Sequence, residues 1–108
     1  MTIVIEDLGI ACGYEALTPD ESTGITASVR QPTSGLFKGM MANAAIIVVE
    51  NQAIRFRLDG ATTAPTADAG LLMNANQNYT IKGKNNVKGF RCINTVAGTS
   101  SVKVQVFF

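Results

Sequence analysis

The sequence predicts an all-β fold: a single antiparallel β-sandwich or small, jelly-roll-like β-barrel with little helix. Three observations point there. The dominant hydrophobic period is two. The runs that carry it are short and separated by turn-forming clusters. No window sustains a 3.6-residue period between helix caps. Seven to nine strands of this kind, spread over 108 residues, fit one domain spanning 1–108. No linker and no clear internal repeat divides it.

Thr2 to Glu6 and Tyr14 to Leu17 are the first strand candidates. In Ile25-Thr26-Ala27-Ser28-Val29-Arg30 the odd positions are apolar, which predicts a half-buried strand. The run Ala45-Ile46-Ile47-Val48-Val49 is apolar at every position and predicts a central strand covered on both faces. One helical turn between Gly39 and Ala45 can precede it. Ala53 to Leu58 alternates again, with Arg55 and Arg57 on the side opposite Ile54, Phe56 and Leu58. Leu71 to Met73, Tyr79 to Lys82 and Phe90 to Ile93 follow. In the last strand Val102, Val104, Val106 and Phe108 share one face, while Phe107 joins Lys103 and Gln105 on the other. Thr18-Pro19-Asp20-Glu21-Ser22, Gln31-Pro32-Thr33-Ser34-Gly35, Asp59-Gly60 and Lys84-Asn85-Asn86 read as loops. Phe56-Arg57 and Phe90-Arg91 form a two-residue echo.

Hydrophobic residues make up 46% and charged residues 16%, enough for a core and too little charge for a disordered tail. There is no His, so the commonest general base, zinc ligand and pH switch is missing. The eight carboxylates show no spacing that selects an acid–base pair, and no glycine-rich phosphate loop is present. An enzyme is therefore not expected, nor a cofactor. Asp59 and Asp68 bracket the longest loop signal, which ends at Gly70. Their spacing matches no known calcium loop, so an ordered surface loop is expected and no metal. Cys12 and Cys92 make no metal pattern and are expected to be buried free thiols; a disulfide stays open.

No basic region precedes a signal-length apolar stretch, and Ala44 to Val49 is too short to cross a bilayer, so synthesis in a cytosol and no membrane partner are expected. Charge is uneven. Residues 1–54 hold six acids and two bases, and residues 55–108 hold seven bases and two acids. Either the halves pair and neutralise each other within one sheet, or a basic face meets an acidic face on a neighbouring subunit. Nucleic acid is disfavoured, because aromatics are few and Phe56 lies opposite both arginines.

From Ala44 onward the chain resembles a known group. The residues that carry the likeness are Val48-Val49-Glu50, Ile54-Arg55-Phe56, Asp59-Gly60 with Pro65-Thr66 and Gly70-Leu71-Leu72, then Gly89-Phe90-Arg91-Cys92-Ile93 and the final alternating strand. This resembles small all-β structural proteins of tailed bacteriophages, of the capsid decoration, head-fibre or head–tail accessory type. The resemblance implies a non-enzymatic virion protein, made in the host cytoplasm. Its partners would be the major capsid protein or other virion proteins, and it would form a homo-oligomer. It also implies that residues 1–40 can include an N-terminal docking arm. The residues expected at contacts are Arg55, Arg57, Asp59, Pro65, Asp68, Phe107 and Phe108. A head–tail or tail accessory protein, or a carbohydrate- or receptor-binding β module, is the alternative.

Overall fold

A computed structural model describes residues 8–96 and 100–108. Among them, eight strands build two antiparallel four-stranded sheets. The strands are β1 (Ala11–Leu17), β2 (Thr23–Gly24), β3 (Ala44–Glu50), β4 (Ile54–Arg57), β5 (Leu71–Met73), β6 (Gln77–Lys82), β7 (Arg91–Asn94) and β8 (Ser101–Phe107). Sheet A runs β1-β8-β3-β6 and sheet B runs β2-β7-β4-β5. Strand β1 pairs with β8, β2 with β7, β3 with β6 and β4 with β5. This is one antiparallel ribbon rolled into a sandwich, the jelly-roll wrapping. The all-β expectation holds, and the sandwich is favoured over the barrel.

Alternation does most of the construction. Ala45, Ile47 and Val49 of β3 face inward, opposite Val106, Val104 and Val102 of β8, and all six are buried. From sheet B, Ile54, Met73 and Cys92 meet them in one cluster with Phe90 and Val87. Each buried aliphatic side chain stabilises the sandwich by roughly 1.5–3 kcal/mol. The loop between β2 and β3 closes one end: Phe37 stacks on Phe108, ring centroids 4.9 Å apart. Phe56 and Phe90 meet at 6.0 Å, so the sequence echo is a contact in space.

Four expectations change. The odd–even stretch Ile25 to Arg30 is not a strand; it holds a four-residue helix, α1 (Ala27–Arg30). Ile25 and Val29 are four apart, and that spacing serves a helix face as well as a strand face. Val29 packs on the core from the helix and Ile25 from just before its N-cap, while Ala27 stays exposed. The expected loop at Lys84 to Asn86 opens a second short helix, α2 (Lys84–Gly89), whose Val87 is buried. The turn placed between Gly39 and Ala45 comes earlier, at 36–39, and Met40 to Asn43 are irregular. Strand β3 is covered on one face only: Ile46 and Val48 are half-buried between Thr80 and Gln105 and between Asn78 and Lys103. The candidate strand Thr2 to Glu6 lies outside the described residues. Residues 8–40 supply β1, β2 and α1 to the sandwich.

Strand β1 carries a bulge between Ala11 and Tyr14, with Gly13 at φ +112°. The extra residue re-aims the strand start, and a left-handed backbone there favours glycine. Gly89 meets a different demand. A β-carbon on it would stand 2.0 Å from the Leu58 carbonyl oxygen.

The cysteines divide. Both are free, but Cys92 is buried while Cys12 is exposed on the bulge, against the expectation of two buried thiols. Burial pushes the Cys92 thiol up to about 12, so it stays protonated at ordinary pH. A thiol reagent at pH 8 should label Cys12 within minutes and Cys92 only after unfolding; two rapidly reacting thiols in native protein would contradict this core. Gly89→Ala should cost about 1–3 kcal/mol by forcing α2 away from Leu58, read as a lowered urea midpoint at unchanged slope.

Candidate functional site

The two sheets present two outward faces of different character. On sheet B, Arg55 lies in register with Leu72 and Ile93, and Arg57 with Arg91. These five side chains therefore share the outer face, while Ile54, Phe56 and Cys92 turn inward. Two arginines directly opposite each other repel unless a counter-charge intervenes. Asp59, two residues beyond β4, supplies one. Arg57 Nε and Nη2 donate to its Oδ1 and Oδ2, each at 2.7 Å. Hydrogen bonds from Arg57 hold the Asp59 carboxyl below the usual carboxylate range, with desolvation opposing, and the same bonds raise Arg57. The pair is exposed, so solvent screens it.

Asp59 also starts the long loop. Its carbonyl accepts the Thr62 and Thr63 amides, and Thr66 and Ala69 exchange backbone hydrogen bonds further on. Arg55 Nη1 donates to the Gly70 carbonyl at 3.3 Å and ties the loop's end back to β4. The loop is thus ordered by its own bonds and by one arginine. Both carboxylate oxygens of Asp59 already accept from Arg57, and Asp68 stands exposed on the loop. Among the described residues no three His, Cys, Asp or Glu side chains form a metal-holding group. A cavity of about 490 Å³ opens beside the ion pair, lined by Arg57, Leu58, Asp59, Gly70, Leu71 and Asn86. Leu71 is 60% exposed at the edge strand.

Sheet A shows a mixed face. Across the register stand rows of Ala11, Phe107 and Ala44; of Tyr14, Gln105, Ile46 and Thr80; and of Ala16, Lys103, Val48 and Asn78. Phe107, Ile46 and Val48 are half-buried, and Tyr14 is 60% exposed. Lys103 reaches Glu50 at 3.1 Å, an ion pair between the acidic and basic halves of the chain. Neutralisation within a sheet is real at that position. It does not extend to Arg55 or Arg91, which form no ion pair among the described residues.

The expected contact residues therefore part ways. Arg55, Arg57 and Asp59 come together at one end of sheet B, with Asp68 on the adjoining loop. Phe107 belongs to the opposite outer face. Pro65 is buried in its loop, and Phe108 is 8% exposed and stacked on Phe37, so neither offers itself to a neighbour. The apolar Val102/Val104/Val106 face ends on Phe108, and that alternation already places it in the core. Arg91 was not among the expected residues. The Phe-Arg echo pointed to it, since the register sets Arg57 against Arg91.

Comparisons of this chain with protein-family models, with curated proteins and with solved structures find no match.

Because the folded Asp59 carboxyl sits below its unfolded value, its contribution is complete above the unfolded value and lost as pH falls through the folded one. Lowering pH from about 5 to about 2.5 should reduce the urea midpoint more for the wild type than for Asp59→Asn. Parallel pH profiles would show that the fork contributes nothing.

Proposed function

We propose that this chain is a non-enzymatic structural subunit of a bacteriophage virion, most simply a capsid decoration (cement) protein that binds the outer shell. The observation that supports this is the pairing of two outward sheet faces on one thin sandwich. One offers Tyr14, Ile46, Val48 and Phe107, the other Arg55, Arg57 and Arg91. Half-buried apolar side chains flanked by polar neighbours suit packing between subunits, and the unneutralised Arg55 and Arg91 suit orienting an acidic surface. Jelly rolls recur in viral capsid domains, an analogy of architecture that adds weight without naming a site. Closed symmetric oligomers would use such faces repeatedly.

A ligand-binding β module is the second reading. It is favoured by the cavity beside Arg57, Asp59 and Asn86, whose volume falls in the range of small-molecule sites.

The decisive experiment is copy number and occupancy on purified particles. The wild-type chain should saturate shells at a stoichiometry set by capsid symmetry. Phe107→Ala should lower occupancy about tenfold while leaving the unfolding free energy from urea titration within about 1 kcal/mol of wild type, since its side chain is only half-buried. Undiminished occupancy would remove the sheet A face from the interface. A glycan-array signal abolished by Asn86→Ala, with no particle binding, would favour the second reading.

A further inference from the structure

A second cleft lies where β2, α1, α2 and β7 converge; neither Arg57 nor Asp59 lines it. It measures about 330 Å³ and is lined by Ser22 to Ala27 together with Arg30, Lys88 and Arg91. Its cations come from three separate elements: Arg30 from α1, Lys88 from α2 and Arg91 from β7. No carboxylate lines it. The acid behind it, Glu15, is already engaged, accepting from the Thr26 amide at 2.9 Å and from the Thr26 hydroxyl.

The three cations are positioned to different degrees. Arg91 is the most constrained. Its stem passes between two glycines that leave no room for a side chain: a β-carbon on Gly60 would come within 2.4 Å of Arg91 Cβ, and one on Gly24 within 3.1 Å of its Cδ and Nε. Its guanidinium makes no side-chain hydrogen bond or ion pair among the described residues. Arg30 is pinned through Nε to the Ile25 carbonyl at 3.2 Å, which leaves its terminal nitrogens uncommitted. Lys88 is exposed and also without an acidic partner. Ser22, at the same cleft, has a solvent-shielded hydroxyl with no protein partner. Gathering three like charges around one polar cleft is unfavourable unless an anion neutralises them. A guanidinium fixed before binding loses little freedom when it pairs with an oxyanion.

We propose that this cleft is an oxyanion site for a phosphate or sulfate group carried by a small molecule as a monoester. Planar guanidinium forks match tetrahedral oxyanions by paired hydrogen bonds, and the lysine adds a mobile point charge. The cavity is larger than a bare oxyanion, which leaves room for the group that bears it. This inference stands apart from the virion reading and survives its failure.

The test uses the whole chain and three probes at matched ionic strength: inorganic phosphate, phenyl phosphate and chloride. Binding is followed by amide chemical shifts in ¹⁵N-labelled protein. The expected result is saturable shifts confined to residues 22–30 and 88–91 with both phosphates and none with chloride. Tighter binding of phenyl phosphate identifies the esterified group as the ligand; equal binding identifies the free anion. Lys88→Gln, at an exposed position, and Arg91→Ala should each weaken binding about tenfold or more. Lys38→Gln, which removes an exposed charge outside the cleft, should not. If Arg91→Ala does not fold, Lys88→Gln decides alone. Absence of saturation, equal shifts with chloride, undiminished binding by Lys88→Gln, or equal loss in Lys38→Gln would each overturn the site.

Discussion

Strand β8 is hydrogen-bonded on both sides, to β1 and to β3, and its register governs sheet A. Three valines at alternate positions face the core, and the residues between them form the middle of the outer surface. A slip of one residue would exchange the two sets, burying Lys103 and Gln105 and exposing Val102, Val104 and Val106. The cost of burying an unpaired lysine makes that exchange prohibitive. The inner alignment therefore also fixes what the outer face displays: Phe107 beside Ala44, Gln105 beside Ile46, Lys103 beside Val48.

Sheet B has shorter strands and leans on close backbone approach instead. Gly60 and Gly24 flank the Arg91 stem, and Gly89 touches Leu58. At these points the missing side chain lets the β4 turn, α2 and β7 come together. The same closeness gathers the arginines. Arg57 meets Arg91 across the ladder, and Asp59 neutralises only the first. One side of the sandwich is therefore electrostatically unfinished, while the other, through Lys103 and Glu50, is locally balanced. That asymmetry joins the fold to both functional readings: an unbalanced cationic face has something left to bind.

Much of this was legible in the residues. Alternation located β4 and β8 and the side of each that faces the core, and an all-apolar run located β3. Turn chemistry separated them, and the outward placement of Arg55 and Arg57 followed from parity alone. What parity could not resolve was Ile25 to Arg30, where positions four apart satisfy a strand and a helix equally. Nor could it show that β3 lacks an outer layer, because an all-apolar run does not reveal how many layers cover it. Lys84 to Asn86 carried turn-forming residues, and it took Val87 packing into the core to make that segment helical.

The sequence alone determined the class of fold and the inward or outward sense of its best strands, because both are local consequences of a two-residue period. It also limited the chemistry, through the absence of histidine. Tertiary structure alone decided which strands are neighbours, and so which charges meet. Arg57 opposes Arg91 across 34 positions of chain, and Arg30 shares a cleft with Lys88 and Arg91. Coulombic interaction depends on distance in space, and only the rolled ribbon sets that distance.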